Sequence, residues 1–150
     1  MTTVYVDAVG AFRDWVNSRT DTLVGPGNPL QKGAYLRDHE GTPDKCYAVL
    51  TLLSGTTALG AAESPQMYAR ISASIYGPTI EAITRASIAY ADEIVTQLAG
   101  QRVTVRDSGD GVQIWVGADV VGPSDLPDGN LPRQIVDCTV IMQPSLVAAP

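Results

Sequence analysis

A change of hydrophobic period within one stretch constrains the fold of this chain more than any other feature. Residues 67–76 alternate between apolar and polar side chains, which predicts a half-buried β-strand. A Gly-Pro pair then ends the alternation, and apolar residues recur every three or four positions. This spacing predicts an amphipathic helix over 79–99, with Gly77 or Thr79 as its N-cap and Gly100 at its C-terminal end. The strand and the helix together form the largest apolar unit of the sequence.

The N-terminal part of the chain predicts one further helix and one further strand. Residues 4–18 carry apolar side chains at helical spacing, and Asp7 is placed to act as the N-cap or as an anion in the first turn. Residues 46–53 are nearly all apolar and β-prone, which favours a strand that is central in a sheet or covered on both faces. Residues 20–34 are rich in glycine and proline and predict a loop. Residues 54–66 are mostly small, and they predict a surface loop.

The C-terminal part predicts a hairpin and a last strand. Two short β-prone runs within 102–116 are separated by the Asp/Gly-rich turn 107–111, which is typical of a hairpin. Residues 133–142 alternate in a way that predicts the final strand. Residues 117–132 contain several prolines and glycines and therefore predict irregular structure. Residues 143–150 predict a flexible tail.

The order of these elements predicts an α+β fold. We expect a single mixed, mostly antiparallel β-sheet with two helices packed on one face. The chain has 150 residues, of which 45% are hydrophobic, so it is long enough and apolar enough for one domain with its own core. The sequence therefore predicts a single domain over residues 1–150.

The charged residues are few and predominantly acidic. Only 17% of residues are charged, against about 25% in an average domain. Part of the surface is therefore expected to be covered by a partner or by further copies of the chain. The formal net charge is −6, and no two of the 10 basic residues are adjacent. Scattered cations argue against a nucleic-acid-binding patch, which needs clustered Lys and Arg.

The cysteines and the N-terminus indicate a cytoplasmic protein. Cys46 and Cys138 are the only cysteines, and we expect two reduced core thiols, since a disulfide would require both side chains to face each other. The N-terminus lacks a basic region followed by an apolar run, so no signal peptide is expected. No segment is long and apolar enough to predict a membrane span. We therefore expect the chain to be made and kept in a reducing cytoplasm.

Residues that usually carry catalysis or bind metals are sparse. His39 is the only histidine, and it lies between two acids in a polar turn, which is typical of a solvated loop. Two cysteines and one histidine give no zinc spacing, and DSGDG at 107–111 lacks the distal glutamate of a calcium loop. GPGNPLQKG at 25–33 does not have the order of a phosphate-binding loop. The sequence therefore predicts no enzymatic activity, no cofactor and no metal, with a small hydrolase or ligand-binding domain as a minor alternative.

Two leucines stand in the irregular segment 117–132. Leu126 and Leu131 lie among proline, glycine and aspartate residues. Apolar side chains in such a segment fit a loop that docks on another molecule, and they equally fit a loop folded back over its own core. The sequence leaves both alternatives open.

The order of four segments resembles the tail terminator proteins of long-tailed bacteriophages with actinobacterial hosts. One of them is the hairpin that ends at Trp115. The other three are the opening helix with NSRTDTLVGPGNPLQKGAYLR (17–37), then ARISASIYGPTIEAITRASIAYADEI (69–94), and VVGPSDLPDGNLPRQIVDCTV (120–140). The four segments cover most of the chain in the order of the family.

The resemblance implies an α+β fold that assembles into a homohexameric ring on the end of the finished tail tube. Such a ring stops the addition of tail tube subunits, presents a surface to the head connector proteins and lets DNA pass through its lumen without specific binding. It implies a place in the virion at the head–tail interface, assembly in the host cytoplasm and no membrane. Another head–tail connector or tail completion protein is the alternative. The candidate assembly contacts in the two irregular loops are Pro26, Leu30, Asp119, Leu126, Asp128 and Leu131.

Overall fold

The structure is a computed structural model, and it describes residues 7–31, 45–59, 66–105 and 112–144. Within these ranges it describes all side chains except those of residues 54–59, 118, 119 and 144. His39 and the turn at 107–111 lie outside the described residues. The elements in chain order are α1 (Ala8–Ser18), β1 (Tyr47–Leu59), β2 (Gln66–Tyr76), α2 (Ile80–Leu98), β3 (Val103–Val105), β4 (Val112–Asp125) and β5 (Arg133–Pro144).

The strands form one sheet in the order β1-β2-β5-β4-β3. Each neighbouring pair in this order is antiparallel. Parallel pairing within the described ranges is confined to isolated bridges such as the one between Ala99 and Val116. The predicted α+β fold with a single, mostly antiparallel sheet and two helices is therefore confirmed.

Strand β2 lies inside the sheet, between β1 and β5, and its alternation matches the sequence. Ala69, Ile71, Ala73 and Ile75 are each fully buried on the face that carries the helices. The opposite face of the strand carries polar and aromatic side chains, among them the exposed Arg70. The predicted half-buried strand is confirmed, because period two places one whole set of side chains on the core.

Helix α2 begins and ends where its capping residues predict. The Thr79 side chain is the N-cap and accepts a hydrogen bond from the Ala82 N–H at 3.1 Å. Gly100 follows the C-terminal end with a φ of 71°, a left-handed conformation that glycine adopts without steric cost. Of the two N-caps that the sequence allowed, Thr79 is the one observed.

Gly77 sets the sharp connection between β2 and α2. A Cβ atom built at this position would lie 2.5 Å from Cys46 Sγ and 3.0 Å from Ile83 Cγ1. A side chain does not fit in this space without displacing its neighbours. Glycine is therefore required here for close packing rather than for an unusual backbone angle.

Helix α1 packs on the sheet through aromatic residues. Asp7 is its N-cap, which is one of the two roles that the sequence allowed, and it accepts a hydrogen bond from the Gly10 N–H at 3.0 Å. The Phe12 ring stacks on Trp15 with centroids 5.7 Å apart, and it meets Tyr90 of α2 edge-on at 6.5 Å. The three rings are fully buried, so they join both helices to one core.

Strand β1 departs from two expectations. Among the described strands it is an edge strand and not a central one, and its exposed residues Leu52 and Leu53 show that it is covered on both faces only at its start. There, Tyr47 and Val49 pack with Tyr76 in a small second cluster on the face away from the helices. The strand also continues to Leu59, so the loop predicted over 54–66 is wrong for residues 54–59 and for Gln66, while residues 60–65 lie outside the described residues.

Strand β4 extends into the segment that was predicted to be irregular. It continues to Asp125, and the prediction is wrong for residues 117–125. The register with β5 shifts between Val116 and Val120 and again between Val121 and Ser124. These irregularities accommodate Gly122 and Pro123, because unpaired positions do not need the N–H that proline lacks.

The cysteines and the β3–β4 hairpin agree with the sequence predictions, whereas the end of β5 differs. Cys46 and Cys138 are both buried and neither forms a disulfide, as expected for core thiols. Strand β5 continues to Pro144, so the flexible tail predicted from residue 143 is wrong at its first two residues, and 145–150 lie outside the described residues. The hairpin formed by β3 and β4 is confirmed by their antiparallel pairing.

Candidate assembly surface

The connection between β4 and β5, residues 126–132, is a closed and well-braced loop. At its base, the Leu126 N–H donates to the Arg133 carbonyl at 3.0 Å. The Arg133 Nε donates back to the Leu126 carbonyl at 2.8 Å. The two strands are therefore held together one residue beyond their ladder, and the loop starts from a fixed base.

The tip of the loop is a tight turn. The Asp128 N–H donates to the Leu131 carbonyl at 2.9 Å, and the Leu131 N–H donates to the Asp128 carbonyl at the same distance. Gly129 supplies the left-handed conformation that the turn requires, with a φ of 61°. This reciprocal pair of hydrogen bonds fixes Leu131 relative to Asp128.

Tyr76 anchors the turn to the sheet. Its hydroxyl donates a hydrogen bond to Asp128 Oδ2 at 3.0 Å, although the two residues lie on different elements. The ring stacks on Tyr47 with centroids 5.2 Å apart, and the Arg133 guanidinium lies 6.0 Å from the ring centroid. Burial of the phenol is the largest cause that raises the pKa of Tyr76, so the hydroxyl keeps the proton that it donates to Asp128 at neutral pH.

Gln134 joins the base of the loop to α2. Its Nε2 donates to Asp125 Oδ1 at 2.7 Å and to Thr84 Oγ1 at 2.9 Å. Gln134 is buried, whereas its acceptors Asp125 and Thr84 are exposed and half-buried. The loop is thus attached to β2, β5 and α2 at the same time.

This braced loop exposes two large apolar side chains. Leu126 is 52% exposed and Leu131 is 48% exposed. The two leucines are therefore not folded back over the core. Beside them, a groove of about 370 Å³ separates the loop from the start of α2, where Ile80 is 65% exposed. A rigid loop that keeps apolar side chains in water is typical of a protein contact surface.

The structure brings together three of the predicted contact residues, namely Leu126, Asp128 and Leu131. Pro26 is exposed on a separate turn, beside a different groove of about 530 Å³. Leu30 is only 2% exposed, so the exposure on which its selection rested is wrong. Its backbone bridges to Val24 and Cys46, which carries the side chain into the core. Asp119 lies within β4, and its side chain lies outside the described residues.

The sequence reasoning missed the residues that brace the loop. Tyr76 is the last residue on the polar face of an alternating strand, and Arg133 is the first residue of the last strand. The sequence pattern therefore placed each of them in a strand and gave neither a role in the loop. An aromatic hydroxyl at the end of a strand, with an aspartate in a Pro/Gly loop, was the available signal. The pairing itself is long-range and is not encoded in any local pattern.

Chemical groups elsewhere in the described residues form no recognisable metal centre. No cluster of three or more His, Cys, Asp or Glu side chains occurs among the residues that the structure describes. Burial raises the pKa of the Cys46 thiol, and the nearby Arg85 opposes this shift. None of the helices in the described part of the chain is long and apolar enough to cross a membrane.

Comparisons with known proteins add little to this geometry. Neither a scan against protein-family models nor a search of curated proteins finds a match. Among solved structures, one chain aligns over 95% of this chain and 94% of its own length, with 15% sequence identity and a TM-score of 0.48. Similarity at this level does not establish a shared family or function.

Proposed function

We propose that the protein is a tail terminator, which caps the end of a bacteriophage tail tube and forms the joining surface to the head connector. The observation that carries this proposal is the braced loop 126–132, which holds Leu126 and Leu131 exposed in a fixed arrangement. A structural protein that stops polymerisation needs such a preorganised surface, because binding to the tube then orders few additional residues. The segment order that resembles this family agrees with the proposal.

A second exposed apolar site supports assembly into a ring. Leu52 is 40% exposed and Leu53 is 52% exposed on β1, which is an edge strand of the sheet as far as the chain is described. This site is separate from loop 126–132. Head-to-tail contacts between copies join two different surfaces, and they close into a ring when the rotation between copies permits. A strand that is at the edge of the described sheet can also pair with a strand of a neighbouring copy.

The charge of the chain agrees with a lumen through which DNA passes. The formal net charge is −6 and the basic residues are scattered. A lumen of this character repels the phosphate backbone, so DNA slides through it without being held. The proposed partners are therefore further copies of the chain, the tail tube protein and the head connector proteins.

The test is assembly in the presence of purified tail tubes. Size-exclusion chromatography with light scattering gives the mass of the free protein, and negative-stain imaging shows whether tube ends carry an additional ring. We expect capped ends and no further growth when tube subunits are added. Tubes that keep growing, with the protein found only free in solution, would overturn the proposal.

A different head–tail connector or tail completion protein is the second candidate. The same exposed leucines would serve it, because a connector also docks on a protein ring. Particles assembled without this protein distinguish the two functions. Loss of a terminator gives tails of abnormal length beside unattached heads, whereas loss of a connector leaves tails of normal length.

A further inference from the structure

Helix α2 carries a stripe of apolar side chains on the face that points away from the core. Ile80, Ile88 and Val95 are 65%, 54% and 50% exposed. They are spaced by eight and seven residues, about two helical turns, so they lie along one side of the helix. The buried residues Ile83 and Tyr90 lie on the other side. The helix therefore has an apolar stripe on its exposed side as well as on its buried side. A helix at the surface of a monomer usually has polar side chains on its exposed side.

Two opposite charges flank this stripe, and Glu81 lies on the same flank one turn before the first of them. Arg85 and Asp92 are both exposed and seven residues apart, so they occupy the same flank, about two turns from each other. The ion pairs among the described residues are Arg13–Asp14 and Arg19–Glu93, and neither includes these two. The charges are close to the apolar stripe, where a partner surface would meet them.

The stripe is nearly symmetric about Ile88. Ile80 precedes it by eight residues and Val95 follows it by seven, while Arg85 precedes it by three and Asp92 follows it by four. If the direction of the helix is reversed about Ile88, Ile80 and Val95 exchange places. Arg85 then takes the approximate place of Asp92, so a positive charge replaces a negative one. A two-fold axis beside Ile88 has this effect on a pair of antiparallel helices.

We propose that α2 pairs antiparallel with α2 of a second copy of this chain, with Ile88 at the two-fold axis. Arg85 of each copy then lies beside Asp92 of the other, which gives two ion pairs on the rim of an apolar contact. A parallel pairing would not bring Arg85 of one copy beside Asp92 of the other, because the two residues lie about two helical turns apart along the axis. The pairing is a property of the free protein and does not rest on the proposed function.

A groove beside the stripe widens the contact. It has a volume of about 270 Å³ and lies between Ile88 and Val95 of α2 and the irregular part of β4, at Val120 and Pro123. Val121 on the same strand is 54% exposed. A second helix that lies along the stripe would therefore contact β4 as well as α2, and bury apolar surface on both.

The test reverses the two charges separately. Arg85→Asp leaves three acidic side chains on this flank, with Glu81 among them, and Asp92→Arg leaves two basic side chains beside Glu81, so each variant alone should dissociate about tenfold more readily than the wild type. Mixing the two variants in equal amounts should produce a heterodimer, because each side chain at position 85 then faces a side chain of opposite charge at position 92. Sedimentation equilibrium measures both the mass and the dissociation constant.

Arg70 provides a control at a position outside the proposed contact. Arg70→Asp makes the same change of charge on the polar face of β2 and should leave the dissociation constant unchanged. Circular dichroism checks that each variant is folded, which is expected because both positions are exposed. A wild-type protein that stays monomeric, or single variants that do not recover on mixing, would overturn the pairing. A mixed species larger than two chains would indicate head-to-tail association instead and would also overturn it.

Discussion

The hydroxyl of Tyr76 and the carboxylate of Asp128 are joined by a hydrogen bond of 3.0 Å that connects β2 to the exposed loop 126–132. Tyr76 is 8% exposed, so its ring is held in the small cluster with Tyr47 and Val49, while Asp128 lies at the solvent-facing turn. A buried donor on a rigid strand thus sets the position of a surface loop. The loop owes its order to the sheet as well as to its own turn.

Removing this hydroxyl should loosen the loop more than the fold. For Tyr76→Phe we expect a loss of about 0.5–1.5 kcal/mol in the free energy of unfolding, the usual net contribution of one hydrogen bond. We also expect weaker capping of tail tubes, because Leu131 is no longer held in one place. Urea unfolding and co-sedimentation with tubes measure the two effects. Tyr68→Phe on the same strand is the matched control, since its hydroxyl contacts only Gln66 at 3.4 Å in the described residues, and it should cap normally.

The two exposed leucines should matter for assembly and not for folding. Leu126→Ser and Leu131→Ser are each expected to change the free energy of unfolding by less than about 0.5 kcal/mol, because surface positions contribute little. Both should reduce co-sedimentation with tail tubes. If either variant capped tubes as well as the wild type, its leucine would not be a contact residue.

Leu30 should show the opposite behaviour. It was expected at the surface and is buried at 2% exposure. Leu30→Ala should therefore cost about 2–5 kcal/mol, because it leaves a cavity in the core. Thermal unfolding measures this loss. Leu30→Ala protein that remains folded should bind tail tubes normally. A loss of tube binding without a loss of stability would show that Leu30 is a contact residue.

How far the sequence predicts this structure depends on the range of each interaction. The ends of β2 and α2 follow from local signals, since the change of period and the caps at Thr79 and Gly100 act within a few residues. The position of β1 at the sheet edge depends on pairing between distant strands, which periodicity does not report. The extension of β4 was missed because glycine and proline usually interrupt strands, whereas here bulges absorb them.

The candidate site divides in the same way. Leu126 and Leu131 were found because apolar residues in a Pro/Gly segment are unusual on a surface. Tyr76 was missed because its partner Asp128 is 52 residues away in the sequence. Leu30 was assigned wrongly because its burial depends on bridges that Val24 and Cys46 form in the folded chain.

Gly77 should tolerate no side chain. Gly77→Ala would place a Cβ 2.5 Å from Cys46 Sγ, and we expect a loss of about 1–3 kcal/mol from overpacking. Combining it with Cys46→Ala removes the nearer obstacle, so the double variant should be more stable than the sum of the single changes predicts. A double-mutant cycle from urea unfolding gives this coupling. Simple additivity would show that the close approach is not the cause.

The ion pair between Arg19 and Glu93 should contribute modestly to holding α1 on α2. Arg19 Nη2 lies 2.8 Å from Glu93 Oε1, and the side chains are 29% and 11% exposed. We expect a coupling of about 1 kcal/mol between Arg19→Ala and Glu93→Ala, at the upper end for exposed pairs. The coupling should shrink in high salt, because ions screen it. A double-mutant cycle on Arg13 and Asp14, whose side chains are both more exposed, is the control and should give a smaller coupling energy.

Tyr90 should make the fold sensitive to alkaline pH. Its side chain is fully buried between the helices and the sheet, and its hydroxyl has no hydrogen-bond partner among the described residues. Burial raises the pKa of Tyr90 well above the ordinary value of 10.0, so the folded chain keeps a proton that the unfolded chain releases. The contribution of Tyr90 to the free energy of unfolding is therefore fully present below pH 10, and it is lost as the pH rises above that value.

Tyr90→Phe should remove most of this pH dependence. At neutral pH we expect the variant to match the wild type within about 1 kcal/mol or to exceed it, because the lost hydroxyl leaves no partner unpaired. Between about pH 9 and pH 11 its free energy of unfolding should decline less steeply than that of the wild type. Tyr76→Phe should flatten the decline to a smaller extent, since the pKa of Tyr76 is also raised but its ring is less deeply buried. Urea unfolding at a series of pH values measures all three slopes, and equal slopes for the wild type and Tyr90→Phe would show that other groups cause the alkaline loss.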